Sequence, residues 1–354
     1  MVAWLQMIPA LAKTVVGFVV ILSTIVFFHE LGHFSVAKLT GMRVFEFALG
    51  FGPVVFSKER RDTVYSIRAI PFGGFVRVAG MDPTPDGVDD DIPRHQLYSS
   101  KALWQKLLFI VAGVVMNLVL AFLLLTTYHM TVVIPPTVQT VFEESPAAAA
   151  GLRIGDQIVA INGTPTPSAE QLVKLVQARS NQETRITVRR GKEEFSQVIV
   201  PRLDEERQVG MIGVELYDQQ PQSVFVSMHR AVRETYGWSV AILKSIGDMI
   251  TGRTQAELSG PVGILVVTGS AVREGLESIL RLAILLNINL ALFNLFPIPM
   301  LDGFWVVIAV IEAARRKPLA PEQKGMAQLV GMALLLLLLV YATYQDVARF
   351  IIGL

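Results

Sequence analysis

Residues 8–37 read IPALAKTVVGFVVILSTIVFFHELGHFSVA, and the fold follows from how that stretch is taken. It is long enough to cross a bilayer, which needs about 20 apolar helical residues. Its only interruptions by ionisable groups are Lys13 near the start and His29, Glu30 and His33. Such a group deep in a span costs roughly 2.5–3.5 kcal/mol on insertion scales and is kept mainly for function. Three within five positions ask for a chemical reason. A helix stacks residues four apart on one face, so both imidazoles can bind one cation while Glu30 is placed to take a proton from water. The alternative puts the motif at the cytoplasmic end of the helix, its side chains merely reaching headgroups or water. A signal peptide does not fit, because no small-residue cleavage site follows and the polar residues would be unexplained.

The rest of the chain agrees with a membrane setting. Of 354 residues, 52% are hydrophobic and 17% charged, and the mean hydropathy is +0.49, too apolar for an ordinary soluble protein. With zero cysteines, disulfides and Cys-ligated zinc or iron–sulfur sites are excluded, which leaves His, Asp and Glu as metal ligands. A net charge of +1 argues against a nucleic-acid partner. Further spans are expected at 107–133, at 279–301 within an apolar stretch that continues to 311, and at 326–348. The class is therefore an α-helical polytopic membrane protein of about four transmembrane helices with an inserted β-rich domain. Its expected parts are an N-terminal membrane part, 1–133, a folded domain, 134–222, a surface segment, 223–277, and a C-terminal membrane part, 278–354.

Lys and Arg near the spans set the orientation. Lys38, Arg43, Lys58, Arg60 and Arg61 follow the first span, Lys101 and Lys106 precede the second, and Arg315, Arg316, Lys317 and Lys324 separate the last two. These segments are expected in the cytoplasm, with residues 134–277 and both termini outside. Within 134–203 the pattern changes to short β-branched runs with turn signals such as Gly155-Asp156 and Asn162-Gly163, the mark of a small β domain. Ser168 is the expected N-cap of its one helix, 169–178. Residues 224–252 are apolar but carry Arg230, Arg233, Glu234, Lys244 and Asp248. They suit an amphipathic helix on the membrane surface or a soluble helix packed on the β domain.

Two imidazoles do not complete a catalytic zinc site, which usually has three protein ligands and a water. Asp302 is the natural third, the lone carboxylate from 278 to 311, following Asn294-Leu-Phe-Pro-Ile-Pro299. Its alternative role is an exposed carboxylate at the end of a span. Pro297 and Pro299 would unwind a span at depth, which is tolerated where the freed backbone is buried in protein or lines a watery cavity. His95 and His229 read as solvated, and His129 as lying at the opposite interface. The acidic stretch 82–91 reads as a mobile loop, since it lacks the glycine and glutamate spacing of a calcium loop.

Several motifs together resemble one family. They are His29-Glu-Leu-Gly-His33, Gly50-Phe-Gly-Pro53, Pro71-Phe-Gly-Gly-Phe-Val76, Leu258-Ser-Gly-Pro-Val-Gly-Ile264 and Asn294-Leu-Phe-Pro-Ile-Pro-Met-Leu-Asp-Gly303. In order and spacing the chain is similar to the site-2 protease family of intramembrane zinc metalloproteases, peptidase M50, in its bacterial RseP-like branch. Glu144 to Gly163 resembles a circularly permuted bacterial PDZ domain, a fold that captures extended peptides by strand addition; a spacer that binds nothing is the other reading.

The resemblance implies one zinc ion on His29, His33 and Asp302, with Glu30 as the base. It implies substrate handling by Asn117, Asn289, Asn294, Pro297 and Pro299, and a re-entrant hairpin, about 43–80, whose Gly73, Gly74 and Phe75 pair with unwound substrate. It also implies transmembrane substrates such as anti-sigma factors or remnant signal peptides, a lipid bilayer as partner, and peptide or a substrate ectodomain at the PDZ domain. The expected location is the bacterial inner membrane, active site toward the cytoplasm and PDZ domain outside.

Each asparagine could instead be interhelical glue worth about 0.6–2 kcal/mol. Three departures stand out: Val114 where the family's Gly-Pro-x-x-Asn has Pro, Phe304-Trp305 where many relatives have Gly-His, and a single PDZ module where relatives similar to the enterobacterial protease carry two. The rival class is a PDZ-bearing scaffold or metal-binding transporter, which would have no need of Glu30 and would often show internal repeats that this sequence lacks.

Overall fold

The computed structural model describes residues 2–81, 92–191, 193–254 and 260–352. The expected mobile loop 82–91 and Leu258-Ser259 of the 258–264 motif lie outside the described residues, as does the Phe72 side chain in the hairpin motif. Helix α1 (Val2–Leu39) leads into strands β1 (Val44–Arg60) and β2 (Thr63–Val78), then helix α2 (Leu103–Thr131). A β-rich stretch follows: β3 (Ile134–Val141), α3 (Pro146–Ala149), β4 (Gln157–Ile161), β5 (Thr164–Pro165), α4 (Ala169–Gln177), β6 (Thr184–Arg190), β7 (Glu193–Ile199), β8 (Arg202–Asp204), β9 (Val209–Met211) and β10 (Val214–Gln219). Helices α5 (Val224–Ile250), α6 (Pro261–Glu274), α7 (Leu276–Phe293), α8 (Asp302–Arg315) and α9 (Pro321–Val347) complete the chain. It divides into two units, Met1–Leu125 with Ala231–Leu354, and Thr126–Arg230.

Among the described residues four helices are long and apolar enough to cross a membrane: Pro9–Leu39, Leu103–Thr131, Leu276–Phe293 and Glu322–Phe350. The architecture is thus helical and polytopic with an inserted β-rich domain. Helix α7 stops at Phe293 and the chain becomes helical again only at Asp302. Prolines 297 and 299 explain the break, since each lacks an N–H and its ring clashes with a preceding helical carbonyl. New backbone bonds hold the broken segment, Gly303 N donating to Asn294 O at 2.7 Å and Leu301 N to Ile298 O at 3.0 Å. Met300 takes a left-handed φ of 82°, a conformation that costs a non-glycine residue about 1 kcal/mol. That local strain lies two residues before Asp302.

Two clusters order the membrane unit. Ile21 and Ile25 of α1 pack with Ala271 of α6 and Leu282 of α7, and small residues set the spacing, Gly17 facing Val272 and Gly269 facing Thr14. Helix α6, inside the stretch 223–277 expected at the surface, therefore packs on α1. Its start is held by α9: the buried Asp346 carboxylate accepts from Gly263 N at 2.7 Å and Gly260 N at 3.1 Å. In the second cluster Phe304, Trp305 and Ile308 of α8 are buried with Ala37 of α1, Val44 of β1, Val78 of β2 and Phe109 of α2. The Phe304-Trp305 departure is thus a packing feature that seats α8.

The first half of β1 lies between two stretches of β2, pairing Val44 to Val78 through Leu49 to Gly74, and also Glu46 to Val64 through Leu49 to Ile67. Residues 74–78 consequently form one edge of a small sheet. A polar clasp fixes it: Glu46 accepts from Ser66 at 2.6 Å and from Arg68 at 2.7 Å, and Arg68 lies 5.0 Å over the Phe75 ring. The sheet is tied to α1 where Ser23 donates to the Pro71 carbonyl at 3.2 Å.

In the second unit the strand order is β10-β3-β4-β6-β7, with β5 paired to β4. Strand β6 alternates, turning Thr184, Ile186 and Val188 inward, where α4 covers them with Leu172 and Val176. Burying one such aliphatic side chain contributes about 1.5–3 kcal/mol. Ser168 caps α4 by accepting from Gln171 N, as expected. Asn162 and Gly163, with φ of 47° and 78°, turn the chain between β4 and β5. Burial pushes the Asp156 carboxyl up, but hydrogen bonds from Arg190 and the Arg153 N–H outweigh it and hold it below the usual carboxylate range.

Candidate metal centre

His29 and His33 lie one turn apart on α1, and both rings are buried. Two glycines bring α2 up against them. A Cβ at Gly32 would run into the Ala112 carbonyl, and one at Gly113 would collide with His33 Nε2 and with His29. Without side chains there, the imidazoles occupy the space between the helices.

The outer ring nitrogens set the tautomers. His33 Nδ1 is 2.9 Å from the Phe109 carbonyl, which can only accept, so Nδ1 carries the proton and Nε2 presents a bare lone pair. His29 Nδ1 is 3.3 Å from the Asn117 amide, whose Oδ1 has no partner when Nδ2 faces the ring. Turned by 180°, the same amide accepts from Nδ1–H, relieves that unpaired oxygen and leaves His29 Nε2 bare as well. Asn117 is in turn fixed by Asn287 of α7, whose Nδ2 donates to the Asn117 carbonyl at 2.6 Å.

Asp302, the first residue of α8, brings the third atom. Its Oδ2 lies 3.0 Å from His29 Nε2 and 3.3 Å from His33 Nε2, and the two Nε2 atoms are 3.2 Å apart. Oδ2 accepts no hydrogen bond. Three lone-pair atoms facing one another in a buried pocket repel unless a cation lies among them. A tetrahedron with zinc bonds of about 2.05 Å has edges of about 3.3 Å, and the three separations match it. Among the described residues this is the one cluster of three His, Asp or Glu groups able to hold a metal. The residues fit zinc.

Glu30 follows His29 and is half-buried. It packs against the sheet edge, since a Cβ on Gly74 would lie 3.2 Å from Glu30 Cγ and 2.8 Å from the Ala48 carbonyl. Gly73 has φ of 88°, and a Cβ there would strike the Phe51 ring. The Phe75 ring stacks on that same Phe51, 6.2 Å between centroids. Phe75 therefore braces the hairpin with its ring and offers backbone at the edge. Asn294 Nδ2 lies 3.4 Å from His29 Nε2. Pro297 and Pro299 sit in the broken segment, and Pro299 packs on α9 so tightly that a Cβ on Gly331 would collide with it.

Asn289 is half-buried on α7 and lies about 200° around the helix from Asn287, so it is Asn287 that reaches the cluster. The sequence held a signal for this: Asn287 and Asn294 are seven apart, two helical turns, whereas Asn289 and Asn294 are five apart. Gly113 and the Phe109 carbonyl also border the imidazoles. A backbone carbonyl carries no side-chain signal.

Comparison with known proteins identifies the family. The family model described as Peptidase family M50 matches residues 17–338. The chain is 31% identical to the zinc metalloprotease RasP of Geobacillus kaustophilus, covering 96% of this chain and 98% of that one. It is 29% identical to the regulator of sigma-W protease RasP of Bacillus subtilis, covering 95% and 99%. Among solved structures, the PDZ domain of the SdrC-like protein from Listeria monocytogenes is 23% identical, covers 24% of this chain and 90% of its own, and has a TM-score of 0.22. With the family model spanning most of its length, the chain belongs to Peptidase family M50 and is a zinc metalloprotease of the site-2 protease type.

Proposed function

We propose that the chain holds one zinc ion on His29 Nε2, His33 Nε2 and Asp302 Oδ2 and cuts peptide bonds within or beside transmembrane segments. The observation that carries this reading is the convergence of three bare donor atoms with separations of 3.0–3.3 Å beside the carboxylate-bearing Glu30. Zinc held there supplies Lewis acidity, polarising a carbonyl and lowering the pKa of a water toward about 7. Glu30 takes the proton from the attacking water and passes it to the departing amide nitrogen. The Asn294 amide, beside His29, is placed to donate to the carbonyl oxygen as negative charge develops on it.

A helical substrate hides its carbonyls in hydrogen bonds and must unwind first. The edge at 74–78, packed against Glu30, offers an extended partner that offsets the lost helical bonds. The substrates proposed are membrane-anchored anti-sigma factors or remnant signal peptides, the first class in keeping with the sigma-W relative's name. The positively charged segments support a proposed location in the bacterial inner membrane with the active site toward the cytoplasm, and the β-rich, PDZ-resembling domain is proposed as extracytoplasmic, docking peptide or a substrate ectodomain.

Metal analysis of the purified chain tests the ligand set. Wild type is expected to carry about one zinc per chain, to lose cleavage of a model transmembrane peptide on chelation and to regain it with zinc. Asp302→Asn protein is expected to lose the metal during purification; full retention would remove Asp302 from the set. Strand pairing has its own test. Successive N–H groups alternate sides along a strand, so of Phe75→Pro and Val76→Pro one removes an N–H facing β1 and the other an N–H at the open edge. The second kind should slow cleavage about tenfold with zinc content intact. Equal turnover in both variants and wild type would exclude edge pairing.

A further inference from the structure

A cavity of about 310 Å³ opens where α2 begins, α8 ends and α9 begins, lined by Lys101, Lys106, Arg316, Lys317, Lys324 and the single carboxylate Glu312, with Leu103 and Ala309 in its wall. It is separate from the metal centre. Lys324 Nζ is 2.7 Å from Glu312 Oε1, and Lys106 Nζ is 3.9 Å from Oε2. The side chains of these three groups are only 12%, 11% and 16% exposed for Lys106, Glu312 and Lys324. Two lysines thus share one carboxylate, whose Oε1 also accepts from Leu319 N at 3.1 Å. Burial leaves one positive charge without a counterion, which is costly in a partly desolvated site.

Lys101 spends its donors on the carbonyls of Thr40, Gly41 and His95. Lys106 has the 3.9 Å ion pair and the Tyr98 ring, 5.4 Å to its centroid, and no closer partner among the described residues. Arg316 and Lys317 are exposed and have no side-chain partner among the described residues. Arg316 lies on the cavity rim. It terminates α8 with a left-handed φ of 55°, where glycine is the least strained residue. An arginine at that position adds backbone strain and contributes a guanidinium to the cavity rim.

We propose that this cavity binds a phosphate group, presented by the headgroup of an anionic membrane lipid. Position selects the lipid over a free anion, because the cavity lies at the ends of candidate spans Leu103–Thr131 and Glu322–Phe350, the level at which headgroups sit. The apolar wall gives an acyl chain a surface to follow. Bound there, the phosphate neutralises the extra charge of the Lys106–Glu312–Lys324 group. It also links the start of α2, which carries the Phe109 carbonyl, to the end of α8, which begins at Asp302.

The test is native mass spectrometry of the full chain in detergent, titrated with phosphatidylglycerol or with phosphatidylcholine of the same acyl chains. Phosphatidylglycerol should be retained at least about tenfold more tightly, and Lys317→Gln should weaken it about fivefold. Arg316→Gly should weaken retention by a similar factor while the lipid-free protein melts no lower than wild type, because the left-handed strain is gone. That opposite pair of signs separates a ligand role from a structural one. Equal retention of both lipids, or unchanged retention in both variants, overturns the proposal. So does displacement of phosphatidylglycerol by millimolar inorganic phosphate, which would make free phosphate the ligand. Changing Asp82, Asp86, Asp89, Asp90 and Asp91 together to Asn should leave retention unchanged; a severalfold gain would assign the cavity to the chain's own acidic stretch and overturn the lipid.

Discussion

Glu30→Gln is expected to lower cleavage of a model transmembrane substrate by about 10³-fold, within the range for removing a positioned general base, while the purified protein keeps its zinc. The two halves of the result come from different atoms. In the proposed site zinc retention is expected to depend on His29, His33 and Asp302, whose donors converge without any contribution from the Glu30 carboxylate. Glutamine has the same shape, so the contact between residue 30 and Gly74 survives and the hairpin edge stays in place. What disappears is the ability to accept a proton. Turnover above a tenth of wild type would remove Glu30 from the role of base, and loss of zinc alongside activity would show that the carboxylate stabilises the site and not the reaction. Retained zinc with cation movement, and no cleavage by wild type, would favour a transporter.

The parts of the site legible in the sequence are those fixed by local rules. Helical spacing places His29 and His33 on one face whatever the surroundings, and prolines at 297 and 299 break a helix in any context, so the convergence of His29, His33 and Asp302 rests on features readable from single stretches. Asn162-Gly163 and Ser168 were readable for the same reason. What escaped depends on which helix faces which. The seven-residue spacing of Asn287 and Asn294 is a weak local hint on its own; the packing of α7 on α2, with Asn287 reaching the Asn117 carbonyl, is what gives Asn287 its place. Helix α6 is rich in small residues and weakly apolar, and its burial on α1 comes from close approach at Gly17 and Gly269, not from a wide apolar stripe. The double pairing of β1 is likewise tertiary, since a strand sequence does not state how many neighbours it has. Phe304-Trp305 departs from the family pattern next to Asp302, yet both rings lie in the cluster that seats α8.

Gly113→Val tests whether the space between α1 and α2 is itself part of the metal centre. No ligand is altered, yet a Cβ at this position would lie 2.6 Å from His29 Cε1 and 2.8 Å from His29 Nε2, and closer still to His33 Nε2. Contacts that short cannot be relieved by a flexible side chain, because the atoms they meet belong to two rigid imidazoles held by the Phe109 carbonyl and the Asn117 amide. Either α2 moves away, which breaks both of those hydrogen bonds, or the rings rotate and their Nε2 atoms leave the edge lengths that suit zinc. Both routes loosen the site by the order of 1 Å that disables a preorganised centre. Zinc content should fall below about a tenth of wild type and cleavage by more than about 10³-fold, in protein whose helical circular dichroism is unchanged. Val115→Ala is the control two residues along α2, since Val115 is 52% exposed and lies about 200° around the helix from Gly113, and it should keep full zinc and near-normal turnover. If Gly113→Val retained its metal, the helices would have slack that the present spacing denies, and the tight seating of the imidazoles would play no part in holding the cation.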